Sequence, residues 1–188
     1  MAGPLIGPRT SPAMMEAILL AGGRGTRLRS VVPDLPKPMA TVAGRPFLSY
    51  LLDFIIDHGI SRICFSTGYK AEAIEDYFGA SLRGVVIVYA HEESPLGTGG
   101  AIRAALPLTS APDVFVLNGD SFAQVDLRAM FDQHKSRGDR LTIALTQVPD
   151  CARYGAVAFQ DGHVERFSEK DEVGARRHVM RRDPADGR

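Results

Sequence analysis

The sequence predicts an α/β layered fold built on a mostly parallel sheet. Three observations lead there. Apolar runs of strand length alternate with segments of helical period through most of the chain. The runs Ala17–Leu20, Val85–Ala90 and Val114–Leu117 are continuous, as expected of buried strands. Turn-forming residues follow the first and fourth runs directly, where open α/β sheets bind their ligands.

In chain order, the first strand is Ala17–Leu20, and a glycine-rich loop follows it. Gly44 makes a turn and Pro46 suits a first helical turn. Phe47, Leu48, Leu51, Leu52, Ile55 and Ile56 then recur at helical spacing until Gly59. Arg62–Thr67 is the second strand, Lys70–Phe78 a short helix stopped by Gly79, and Val85–Ala90 the third strand. Ala101–Leu106 is a short helix, Val114–Leu117 the fourth strand, and Leu127–Arg137 a helix stopped by Gly138. Leu141–Val148 alternates as another strand. Tyr154–Phe159 and His163–Ser168 flank Asp161-Gly162, a strong hairpin signal.

Length and composition bound the function. The 188 residues are enough for one domain with a sizeable core. The 22 basic and 22 acidic residues cancel, which argues against general binding to nucleic acid or a membrane surface. A phosphate site must then be a local concentration of cations. Cys64 and Cys151 lie far apart and suggest neither a metal site nor a disulfide framework. A cytoplasmic, reduced setting is expected, with Cys64 a small core residue. Residues 1–14 are rich in Pro and Gly and are expected to be a disordered lead.

The stretch Ala17–Pro38, AILLAGGRGTRLRSVVPDLPKP, carries the chemistry. Gly22, Gly23 and Gly25 let the backbone turn tightly and bring N–H groups close to an anion. Arg27 adds a fixed cation suited to a polyphosphate. Lys37 sits between Pro36 and Pro38 on a stiff segment. Two better-known glycine loops fail here. Counted from Gly23, the last glycine of the dinucleotide fingerprint is replaced by Leu28, and no Gly-Lys-Ser/Thr tripeptide occurs.

AGGRGTRL followed by PKPM resembles the signature of the sugar-1-phosphate nucleotidylyltransferases, or NDP-sugar pyrophosphorylases. The resemblance covers Met15 to about Lys170. The wording GRPFLSYLL and EESPLGTGGAI is most similar to the branch that guanylylates D-glycero-D-manno-heptose 1-phosphate, with mannose-1-phosphate guanylyltransferases and an N-acetylmuramate-1-phosphate uridylyltransferase as close competitors. It implies a three-layer, Rossmann-like α/β/α fold with a mostly parallel central sheet over residues 15–173.

The resemblance also implies site residues. Arg27 and Lys37 would be catalytic, and Ala21, Gly22, Gly23, Gly25 and Thr26 would bind the nucleotide's phosphates. Asp120, in VFVLNGD, would hold Mg²⁺; its plain alternative is a turn residue capping nearby N–H groups. Glu92, Gly97 and Thr98 would belong to the family's base-recognition loop, the alternative being a plain loop before a helix. One Glu92 carboxylate can accept both the N1–H and N2–H of guanine, which favours GTP, against the alternative of a solvated glutamate. Gly155 and Glu169 would contact sugar hydroxyls and Lys170 the sugar phosphate. The implied partners are a nucleoside triphosphate and a sugar 1-phosphate, with a homo-oligomer left open.

The implied reaction attacks the α-phosphorus with an oxygen that is already an anion, so no general base is needed. Catalysis would consist of positioning and charge stabilisation. The end of the chain departs from the pattern. Residues 174–188, GARRHVMRRDPADGR, hold five arginines and no second metal-ligand motif. An arginine-rich tail on a shortened C-terminus is expected there, and an inactive or regulatory nucleotide-binding relative stands as the alternative function.

Overall fold

The computed structural model describes residues 14–23, 35–148 and 155–168. The expectations for the lead, for Gly25, Thr26, Arg27, Cys151, Tyr154, Glu169 and Lys170, and for the arginine-rich tail lie outside those residues. Contacts divide the chain after Thr142 into two units.

The first unit contains a five-stranded sheet in the order β5-β6-β4-β1-β7. Its strands are β1 (Met15–Leu20), β4 (Ile60–Thr67), β5 (Ser81–Leu82), β6 (Val85–His91) and β7 (Val114–Asn118). β1 pairs in parallel with β4 and β7, and β4 in parallel with β6; only short β5 runs antiparallel. From β1 the chain winds through β4 to β6 on one side, then returns to place β7 on the other. β1 is therefore the switch point of the sheet, and a crevice opens beyond its carboxyl end. The register aligns the strand ends: Leu20 pairs with both Ser66 and Asn118, and Thr67 with His91.

Alternate side chains of the strands feed two cores. Ala17, Leu19, Ile63, Phe65 and Ile87 face the larger one. It is completed by Leu48, Leu51, Leu52 and Ile55 of helix α1 (Phe47–Asp57), Ile74 and Phe78 of α2 (Ala71–Phe78), and Leu127 of α4 (Leu127–Arg137). Ile18, Cys64 and Ala90 face the smaller core beneath Ala105 of α3 (Gly97–Ala105). Helices thus cover both faces of the sheet, which gives the expected three layers. Each fully buried aliphatic side chain contributes about 1.5–3 kcal/mol.

The helix boundaries follow local chemistry. α4 starts where the Asp126 side chain accepts from Ala129 N at 2.9 Å. It ends at Gly138, whose φ of +65° favours a residue without a Cβ. Two titratable groups lie in the core, Glu16 and Cys64. Glu16 is 1% exposed at the start of β1, and its carboxylate accepts from Ser110 N at 2.8 Å and Ser110 Oγ at 2.5 Å. Burial pushes its pKa up, but the hydrogen bonds from Ser110 and Ala111 and the nearby Arg62 outweigh that and leave it lowered. Cys64 is fully buried, and burial pushes its thiol up to about 11.

Three sequence readings are corrected. Leu141–Val148 forms no strand. Alternation supplies two faces, but a strand exists only where its N–H and C=O groups meet another strand, and none pairs with it among the described residues. α3 begins at Gly97 rather than Ala101, so half of the glycine-rich segment is helical. A small hairpin, β2 (Thr41–Val42) with β3 (Arg45–Pro46), turns at Ala43-Gly44, and Pro46 precedes α1 instead of opening it.

In the second unit, β8 (Ala156–Gln160) and β9 (His163–Ser168) form the expected antiparallel hairpin, turning at Asp161-Gly162 with φ of +51° and +76°. Those two positive values are the signature of the hairpin turn favoured by strand twist. No helix among the described residues is long and apolar enough to cross a membrane.

Candidate active site

A cavity of about 560 Å³ opens beyond the carboxyl ends of β1 and β7. The sequence-predicted residues Ala21, Gly22, Gly23 and Lys37 line it from the β1 side. Glu92, Gly97, Thr98 and Asp120 line it from the β6–α3 connection and the end of β7. Eight of the nominated residues are thus brought together. Gly155 is described only in the second unit, just before β8.

The exit of β1 is pinned on both sides. Ala21 N donates to Ser66 O at 2.8 Å, and Gly119 N donates to Leu20 O at 2.9 Å. A Cβ on Gly119 would stand 3.1 Å from Leu20 O, so the close approach of the two strand ends requires a small residue there. At Gly22 a Cβ would stand 2.6 Å from Glu92 Oε1, so the Glu92 side chain would have to shift. Among the described residues, Gly23 has nothing within 4 Å of its would-be Cβ.

Lys37 opens a 3₁₀ turn, Lys37–Met39, set by the prolines on either side. Pro36 holds φ −65° and ψ 148°, Met39 N donates to Pro36 O at 2.8 Å, and the buried Pro38 and Met39 anchor the turn. The lysine stem is thereby aimed across the cavity, and Nζ donates to Asp120 Oδ2 at 2.5 Å. Lys37 is the one cation among the described residues that line the cavity.

On the opposite wall, Glu92 N donates to Thr67 O at 2.7 Å, which holds the residue at the end of β6. Its carboxylate accepts from Ser66 Oγ at 2.8 Å and from Leu96 N at 3.1 Å. Gly97 follows with φ +69°, a left-handed value that suits glycine, and starts α3. No side chain among the described residues caps α3, and the first-turn N–H groups of a helix have no partner within it.

Residues 16–178 match the nucleotidyl transferase family model. The chain belongs to the nucleotidyl transferase family. This nucleotidyl transferase is 49% identical over 156 residues to a D-glycero-alpha-D-manno-heptose 1-phosphate guanylyltransferase of Aneurinibacillus thermoaerophilus, covering 83% of the chain and 68% of the relative. It is 41% identical over 157 residues to the guanylyltransferase of the same description from Campylobacter jejuni, covering 83% and 69%. Among solved structures, HddC from Yersinia pseudotuberculosis complexed with GMP-PN superposes with a TM-score of 0.72 at 36% identity, covering 83% of this chain and 69% of that one. The fold is therefore the Rossmann-like nucleotide-sugar transferase fold that the sequence predicts.

In this nucleotidyl transferase, Asp120 offers a single carboxylate to the cavity. The carboxylate is partly exposed on the cavity, and a positive group, the Lys37 ammonium, already lies against it. No cluster of three or more His, Cys, Asp or Glu able to hold a metal occurs among the described residues. A Mg²⁺ ion with few protein carboxylates completes its shell from substrate phosphates and water.

Sequence reasoning missed Ser66. In RICFST it looks like an ordinary strand residue, yet it is fully buried and donates to the carboxylate of Glu92, which lines the cavity.

Proposed function

We propose that this nucleotidyl transferase joins a sugar 1-phosphate of the heptose or mannose type to GTP, giving a GDP-sugar and pyrophosphate. The observation that carries the reading is the contact between Lys37 and Asp120 inside a cavity walled by Gly22-Gly23 and Glu92. The choice of base is supported by the Glu92 carboxylate on the cavity wall and by the GMP-PN complex of the solved relative. The choice of sugar rests on the heptose and mannose guanylyltransferases that the chain resembles.

In the reaction, an oxygen of the sugar 1-phosphate attacks the α-phosphorus, and the bond to the β-phosphate breaks. The two reactants repel each other, so the protein's work is to neutralise and align them. The bare backbone at Gly22 and Gly23, continued by Gly25 and Thr26, cradles the triphosphate. Lys37 exchanges its contact with Asp120 for phosphate oxygens near the reacting centre. Arg27 neutralises the departing pyrophosphate. Mg²⁺ held by Asp120 and the phosphates would supply further charge neutralisation. Gly155 and Glu169 take sugar hydroxyls, and Lys170 the incoming phosphate. The reading carries with it a cytoplasmic setting and a role in supplying nucleotide sugars for envelope polysaccharide.

The test is pyrophosphate release from each of the four nucleoside triphosphates with Mg²⁺ and a panel of sugar 1-phosphates. Release with GTP that depends on a heptose or mannose 1-phosphate supports the reading. GTP binding without release under any pairing would assign the protein as a nucleotide-binding relative instead.

A further inference from the structure

Ser66 is fully buried at the end of β4, between Leu20 of β1 and Ala90 of β6. A buried hydroxyl needs a partner, and this one donates to Glu92 Oε1 at 2.8 Å. The other carboxylate oxygen accepts from Leu96 N at 3.1 Å. Gly22 closes the third side, since even a methyl group there would meet Oε1 at 2.6 Å. The terminal torsion of a glutamate is ordinarily broad. Here both oxygens are tied, one by a side chain that burial itself holds still. Each oxygen keeps a further lone pair, and Glu92 faces the cavity.

We propose that Ser66 is a specificity-positioning residue: its hydroxyl orients the Glu92 carboxylate so that the remaining lone pairs receive the N1–H and 2-amino N–H of guanine. The inference rests on the reading of Glu92 as the group that takes the base. Ser66 itself touches no substrate. Its removal leaves the carboxylate in place but free to rotate toward Leu96 N or water, so the loss falls on base selection and not on the phosphates.

The test compares GTP, inosine triphosphate, which lacks the 2-amino group, and inorganic tripolyphosphate. Their dissociation constants are measured by calorimetry on the full chain. Ser66→Ala should narrow the preference for GTP over inosine triphosphate by about 5- to 10-fold, the size of one hydrogen bond, and leave tripolyphosphate binding unchanged. Ser66→Cys, which keeps the volume but donates weakly, should narrow it by a smaller factor and serves if the alanine variant does not fold. Full preference in the folded serine variants, with Glu92→Gln narrowing it, would overturn the role of Ser66 alone. Full preference in Glu92→Gln would remove the base reading itself. Equal losses for all three ligands would make Ser66 merely structural and overturn the inference.

Discussion

Lys37 Nζ stands 2.5 Å from Asp120 Oδ2 across 83 positions of sequence. The contact joins a proline-framed turn to the end of β7, so it forms only when the sheet has brought β1 and β7 side by side. Both side chains are more than a third exposed. A pair so exposed contributes only about 0–1 kcal/mol to stability. In the proposed reading its value is chemical: it keeps a cation and an acid at the mouth of the cavity that would take the triphosphate.

Stability and activity should therefore separate at this pair. Lys37→Ala and Asp120→Asn are expected to lower the rate of pyrophosphate release by on the order of 10²-fold or more. Their unfolding free energies should stay within about 1 kcal/mol of the parent in urea titrations. Near-parental turnover in both variants would contradict the proposed roles.

Gly22→Ala tests the packing of the two walls. A Cβ would stand 2.6 Å from Glu92 Oε1, so either the carboxylate or the loop must shift. A displacement of that size at a binding group is expected to raise the KM for GTP by on the order of 10- to 10²-fold. Steady-state kinetics with saturating sugar phosphate reads it, and an unchanged KM would mean that the wall yields freely.

Glu16 predicts an acid dependence of stability. Its folded pKa lies below its ordinary value of 4.5 because hydrogen bonds from Ser110 and Ala111 and the charge of Arg62 outweigh burial. A depressed carboxyl stabilises the fold above its unfolded pKa, and that contribution is lost as pH falls through the folded pKa. Stability should thus decline below about pH 4.5. Glu16→Gln should cost about 1–3 kcal/mol near neutral pH and flatten that part of the profile. Urea unfolding between pH 3 and pH 7 measures both.

Cys64 should be inert in the native protein. Burial holds its thiol at about 11, so almost no thiolate exists at neutral pH, and no solvent reaches the sulfur. An aromatic disulfide reagent at pH 7.5 should label it only after unfolding. Fast labelling of Cys64 in the native state, located by peptide mapping, would show that the smaller core opens readily.

The larger core should respond to a cavity in the usual way. Leu52→Ala removes a fully buried side chain of α1 from beneath the sheet and is expected to cost about 2–5 kcal/mol. Chemical denaturation reads the loss directly.

Much of this architecture was legible in the sequence because its strongest signals are local. Continuous apolar runs marked β1, β6 and β7, helical spacing marked α1 and α4, and Asp161-Gly162 marked the β8–β9 turn. The glycine loop and LNGD could be assigned to one cavity because strand ends collect at one edge of a parallel sheet. What stayed hidden depends on partners distant in sequence. The alternation of Leu141–Val148 looks like a strand, but pairing decides strands, not pattern. The service of Ser66 to Glu92 and of Ser110 to Glu16 crosses 26 and 94 positions, and neither serine carries a local mark of it. Gly97 looked like a loop residue because its helix-starting role depends on a left-handed φ that only the folded chain displays.

The most direct measurement of the central claim is the position of bound GTP in crystals soaked with nucleotide and Mg²⁺. Triphosphate density is expected against the backbone of Gly22 and Gly23 and within reach of Lys37, with the base beside Glu92. Triphosphate density outside that cavity would contradict it.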